Sequence, residues 1–167
     1  VNKRRKVLGE DHPYTLLSIH NLAEALQADN QQKRAIDFYK EAVKGRRTVL
    51  GENDPETLLS MNNLGWAYHL TGEYKNAIPV FEETVKGRSK VLGEDHPYTL
   101  LSMNNLAWAY DKAGQLEKAE TVFRKILELR RQRFPEEWQT FNSVAKLGNA
   151  LAKMKQYEEA ESLLLEG

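Results

Sequence analysis

The chain has 167 residues, with 24 lysines and arginines against 24 aspartates and glutamates, four histidines and no cysteine. Balanced charge excludes an overall field that gathers nucleic acid or anionic lipid, and the missing cysteine excludes disulfides, thiolate metal sites and thiol catalysis. No apolar run approaches the roughly 18 to 20 residues of a membrane span and no charged-then-apolar leader opens the chain, so a cytoplasmic domain is expected.

In chain order, VNKRRK at 1–6 comes first and occupies the place that VKGRRT (43–48) and VKGRSK (85–90) hold later. It reads as the last turns of a second helix left from a preceding repeat, spanning 1–8. With no initiator Met, the chain is expected to be an excerpt of a longer array. Next, VLGEDHPYTLLS at 7–18 returns unchanged at 91–102, with VLGENDPETLLS at 49–60 between them. The starts 7, 49 and 91 are 42 residues apart. A unit of this length cannot bury its apolar face alone and must stack on neighbours. The expected fold is therefore an all-α, right-handed superhelical α-solenoid of stacked antiparallel helix pairs. Its expected repeats are 9–51, 52–93, 94–134 and 135–167, forming one continuous domain.

Each repeat is predicted to hold two helices. In the first, Leu58, Met61, Leu64, Gly65 and Tyr68 recur at the spacing of one buried helical face. Asp54 before Pro55 marks its start, a carboxylate N-cap followed by a residue whose missing N–H is not needed there; His12-Pro13 and His96-Pro97 replace it in copies one and three. Gly72 and Gly114, with Asn30 in copy one, sit where a left-handed residue closes the helix. The second helix carries Ala77, Ile78, Phe81 and Val85 and runs to Leu92, with Gly51 and Gly93 as stops. Pro79 is expected within its first turn, so that the helix begins late. Basic residues near the far ends (Arg46, Arg47; Lys86, Arg88, Lys90; Arg130, Arg131, Arg133) and acidic residues in the following loops read as complements to the helix dipoles.

The fourth copy is one residue short: Ala77 and Ala119 are 42 apart, Ala119 and Ala160 only 41. The deletion falls in the RFPEEW loop, which Trp138 is expected to plug. Both ends are expected to be sticky, with Val1, Val7 and Leu8 at one and Tyr157, Ala160 and Leu164 at the other, giving weak end-to-end self-association.

The run Met61, Leu64-Gly65, Tyr68, Ala77, Phe81 resembles the tetratricopeptide repeat, and copy three repeats it as Met103, Leu106-Ala107, Tyr110, Ala119, Phe123. The 42-residue unit, its LGEDHP connectors and its MNNLG and MNNLA cores resemble the kinesin light chain type of that repeat. The small residues Gly65, Gly148, Ala23 and Ala107, and Ala35, Ala77, Ala119 and Ala160, are expected at close helix contacts, where a larger side chain would overpack.

The resemblance implies that the first helices line a concave groove, with ligand-facing residues one, five and eight places beyond the bulky core residue. These are His20, Glu24 and Gln27 in copy one; Asn62, Trp66 and His69 in copy two; Asn104, Trp108 and Asp111 in copy three; and Ala145, Asn149 and Ala152 in copy four. Asparagines at 62 and 104 are implied to hold ligand backbone, and each offers a donor and an acceptor; bonding across to neighbouring helices is their alternative use. Trp66 and Trp108 have the area and single N–H of binding anchors, or else stiffen the stack.

No HExxH, cysteine pair or metal triad accompanies the histidines. The isolated glycines form no phosphate cradle, and neither an enzyme nor a cofactor is expected. Helical-repeat RNA readers need a shorter period and a basic groove, whereas Glu24 and Asp111 mix with Lys112 and Lys153 here. The expected function is therefore a protein-interaction module that binds a peptide of a partner protein, without nucleic acid or membrane. The alternative is a structural spacer or self-assembly module of a larger signalling or scaffold protein.

Overall fold

The computed structural model describes residues 1–166, and the described residues form helices joined by short turns, with no strand among them. Gly167, which closes the expected fourth repeat, lies outside them. Two compact units are distinguished, Val1–Val91 and Leu92–Gly167.

In the first unit, α1 (Asn2–Leu8), α2 (Pro13–Ala28), α3 (Gln32–Leu50), α4 (Pro55–Leu70) and α5 (Tyr74–Leu92) follow one another. The leading segment is helical, as its likeness to 43–48 implied. Helix α2 packs on α3, and α3 on α4. Leu16, Ile19 and Ala42 form a buried cluster against which Val1 and Phe38 close. Starts follow the predicted chemistry: Nδ1 of His12 accepts from the Tyr14 N–H at 3.2 Å, and a carboxylate oxygen of Asp54 accepts from Glu56 N–H at 2.9 Å. Each gives one orphan amide a partner.

The first helices end alike. Asn30, Gly72, Gly114 and Lys155 all take positive φ, at 57°, 76°, 76° and 63°. The amide after each then reaches back to the fifth residue before it: Gln31 to Leu26, Glu73 to Tyr68, Gln115 to Tyr110, Gln156 to Leu151. This is a Schellman closure. The lysine in copy four has no counterpart among the glycine and asparagine stops of the other copies, and its Cβ strains where glycine's absence of one does not.

Pro79 departs from expectation. Helix α5 begins at Tyr74, because the Asn76 and Ala77 amides both bond the Glu73 carbonyl and the Asn76 side chain bonds the Glu73 carboxylate. The start is thus fixed at Glu73, and Pro79 falls in the second turn, inside the helix. Its missing N–H leaves the Lys75 carbonyl without its helical donor.

The small positions act as predicted. A Cβ on Gly65 would stand 2.7 Å from the ring of Phe81, which is fully buried.

The second unit holds α6 (Pro97–Lys112), α7 (Leu116–Arg133), α8 (Trp138–Lys153) and α9 (Tyr157–Glu166), each packed on the next. Its core runs through Phe123, Ile126, Leu147 and Leu151. A Cβ on Gly148 would meet Leu164 at 2.9 Å. Trp138 does not plug the shortened loop: it is the first residue of α8 and 68% exposed. The loop needs no plug, since the Phe134 carbonyl accepts both the Glu137 amide and the Thr140 hydroxyl.

The basic helix ends also do more than complement dipoles. Arg46 is only 3% exposed and Arg88 5%. The Arg46 guanidinium donates to the Glu56 carbonyl at 2.8 Å and to the Ser60 hydroxyl at 2.6 Å, and pairs with the Glu56 carboxylate at 2.9 Å. Arg4 reaches the Tyr14 carbonyl and Ser18, and Arg130 the Gln139 carbonyl and Ser143, in the same way. An arginine near the end of one second helix thus clamps the first turns of the next first helix. Lys and Arg side chains are rarely buried unless paired, and here the carbonyl and hydroxyl supply the pairing.

Candidate functional site

The residues singled out by the first-helix pattern lie on α2, α4, α6 and α8. In the first unit, the strip comprises His20 and Glu24 on α2 and Asn62, Trp66 and His69 on α4. His20 and Asn62 are buried, Trp66 and His69 half-buried, and Glu24 exposed. Gln27 is half-buried. The indole of Trp66 lies flat on the His69 ring, with centroids 4.9 Å apart and planes 6° from parallel, and Tyr74 meets His69 edge-on at 5.4 Å. A three-ring stack of this kind holds Trp66 in a fixed pose while leaving part of the indole open to solvent. Glu24 accepts from Nδ2 of Asn63 at 3.2 Å and sits 3.4 Å from Nε2 of His20.

In the second unit, the strip is Asn104, Trp108 and Asp111 on α6, with Asn149 exposed on α8. Ala145 is exposed and Ala152 half-buried. Lysines from α8 reach all three α6 residues. Nζ of Lys146 donates to Oδ1 of Asn104 at 2.9 Å and stands 4.7 Å from the Trp108 ring centroid, a cation–π contact. Nζ of Lys153 reaches both carboxylate oxygens of Asp111 at 2.7 Å. Nδ2 of Asn104 donates to the Leu100 carbonyl at 2.8 Å. Asn104 therefore bonds within its own helix and across to the neighbouring one, the alternative use noted for it.

Burial sets the electrostatics. It pushes the Lys146 ammonium below the usual lysine range, and the nearby Arg130 guanidinium adds to that. It likewise pushes His20 below its ordinary 6.5, with Arg46 adding repulsion and Glu24 opposing. Both groups are desolvated beside a like charge.

Sequence reasoning missed Lys146 and the clamp arginines. Both left a signal. Arg4, Arg46 and Arg130 fall at one repeat position, at multiples of 42 residues, and Asn63, Asn105 and Lys146 share another, directly after Asn62, Asn104 and Ala145.

Two tetratricopeptide repeat models match residues 15–56 and 71–132. The chain belongs to the tetratricopeptide repeat family. Among solved structures, this tetratricopeptide array is similar to a putative kinesin light chain of Podosopora anserina with nearly identical TPR-like repeats. Identity is 29%, covering 98% of this chain and 78% of that one, with a TM-score of 0.90. A point variant of the same repeats matches at 28% identity over 99% of this chain and 78% of that one, with a TM-score of 0.91. BtubC (BKLC) from P. vanneervenii is 17% identical, covering 91% of this chain and 61% of that one with a TM-score of 0.82, and shares the fold. No curated protein matches the chain. Tetratricopeptide repeat proteins of this fold are protein-interaction modules. Among the described residues, no helix is long and apolar enough to cross a membrane.

Proposed function

We propose that this chain binds a peptide segment of a partner protein along its first helices, without enzymatic chemistry or a cofactor of its own, in a cytoplasmic setting. The observation that supports this most is the pair Trp66 and Trp108. They stand 42 residues apart at one repeat position, and each is half-exposed on a first helix amid otherwise buried neighbours. Large, rigid rings held in a fixed pose are what interface anchors require.

The two strips present different chemistry. In the first unit, Trp66, His69 and Glu24 offer an aromatic surface with an adjacent carboxylate. In the second, Lys146 and Lys153 already engage Asn104, Trp108 and Asp111, an arrangement that favours the second reading there, a stiffening role without a ligand.

Peptides selected from a randomised library against the intact chain provide the test. Trp66→Ala should weaken a selected peptide by about 2 kcal/mol, roughly thirtyfold, with the melting midpoint unchanged. Asn62→Ala is expected to cost less, about 0.5 to 1.5 kcal/mol for one hydrogen bond. A Trp66→Ala protein that melts early but binds normally makes the ring structural, and a library yielding no saturable binder removes the peptide reading.

A further inference from the structure

In copy one, His20 stands where copies two and three carry Asn62 and Asn104. All three are buried, but only the histidine titrates near neutrality. We propose that His20 is a pH-sensitive latch between α2 and α4, joining the two first helices while its ring is neutral and releasing them when it takes up a proton from solvent.

The geometry comes from three helices. From α4, the Ser60 hydroxyl lies 3.0 Å from Nδ1 of His20. That same oxygen accepts from the Arg46 guanidinium of α3 at 2.6 Å. The serine oxygen is thus shared by the Arg46 guanidinium and the imidazole, a contact that the neutral ring makes in either tautomer. A second ring proton sets two cations on one serine oxygen in a buried seam. The remaining groups around the ring are accounted for. Tyr39 of α3 meets it edge-on at 5.6 Å, Glu56 of α4 is paired with Arg46, and Glu24 of α2 is exposed and held by Asn63 of α4. On α1, Arg4 is engaged with Ser18 and Arg5 with Glu41. Glu24 is the one group whose charge favours a protonated ring at contact distance, and at 52% exposure its attraction is screened by water.

The sign follows from the depressed value in the fold. The unfolded chain binds the proton more readily, so the latch's stability is present above about 6.5 and is lost as pH falls below it toward the folded value.

The inference stands on this seam and not on peptide binding. Two measurements on the full chain test it. In an NMR titration of the His20 ring, a midpoint below 6.5 is expected, with amide exchange in α2 and α4 accelerating in step while that of α7 to α9 does not. A midpoint at or above 6.5, or a ring that protonates with no change in α2 and α4, overturns the proposal. Melting at about pH 7.5 and about pH 5.5 is the second measurement. The wild-type midpoint should fall with acidification by at least about 2 °C more than that of His20→Asn, which places at this site the residue of copies two and three. Parallel pH slopes overturn it, and if His20→Asn does not fold, the titration decides alone.

Discussion

Arg46 and Arg124 each hold two side-chain partners, yet they differ in worth. Arg124 is half-exposed and pairs with Glu120 and Glu159 in water, an arrangement worth about 0 to 1 kcal/mol. Arg46 is buried on a carbonyl and a hydroxyl, each of which loses a charged donor in its absence. Arg46→Met, which keeps the aliphatic stem, is therefore expected to cost about 1 to 3 kcal/mol in urea unfolding, and Arg124→Met less than about 1. Equal losses would mean that the clamp contributes nothing beyond a surface ion pair. Two further residues bracket the tolerance of the backbone. Gly65→Ala should lower stability by about 1 to 3 kcal/mol, since Phe81 has no room to yield. Lys155→Gly should raise it by up to about 1 kcal/mol by relieving a positive φ. At this scale the sequence was legible wherever a residue's shape decides its place. Gly65, Gly148 and the alanines were assigned to close contacts, and Gly72, Gly114 and Asn30 to helix stops. It was illegible where a charged residue is buried, because Arg46 and the more exposed Arg47 beside it have the same chemistry in one dimension.

Among the elements, α5 contains a rule broken and tolerated. A proline in the second turn forfeits one hydrogen bond and crowds the preceding carbonyl, yet the helix begins at Tyr74 and continues to Leu92. Exposed Pro79 contributes no packing to offset that loss. Pro79→Ala is accordingly expected to stabilise by about 1 to 3 kcal/mol, measured in urea, and a destabilised variant would show that the ring has a packing role. Helix boundaries elsewhere could be read because caps are local: a His or Asp before proline fixes a start within one turn. The lysines of α8 could not be read in this way. Lys146 and Lys153 meet α6 only through tertiary packing, and a period-based list of ligand-facing positions assigned Asn104, Trp108 and Asp111 outward without seeing which side chains would arrive to cover them. The site was thus legible as a set of positions and not as a set of free groups.

For the whole chain, the 42-residue offset carried the fold class, because stacking is forced when one unit cannot close its own core. What it did not carry is how the spacing survives a missing residue. Ser18 and Ser60 follow their arginines by 14 residues and Ser143 by 13, with the clamp intact in each case. The loop absorbs the difference; the arginine does not move. Register between neighbouring repeats is therefore read by a side chain measuring against a hydroxyl and a carbonyl, much as a tooth finds its notch, and connector length is free to drift. Growth of such an array is then quantised. Removing residues 49–90, one whole period, presents Arg46 with Ser102 in the setting it now finds at Ser60, so the shortened chain should keep its helicity per residue and melt cooperatively. Removing three residues fewer from the same start should not, since the three residues kept lengthen the helix that carries Arg46 rather than the loop, and turn that one joint out of register. Circular dichroism of the two deletions distinguishes them. A gene that duplicates in whole periods inherits a working joint each time, and one that slips within a helix breaks the joint at the slip, which gives the repeats a mechanical reason to remain whole.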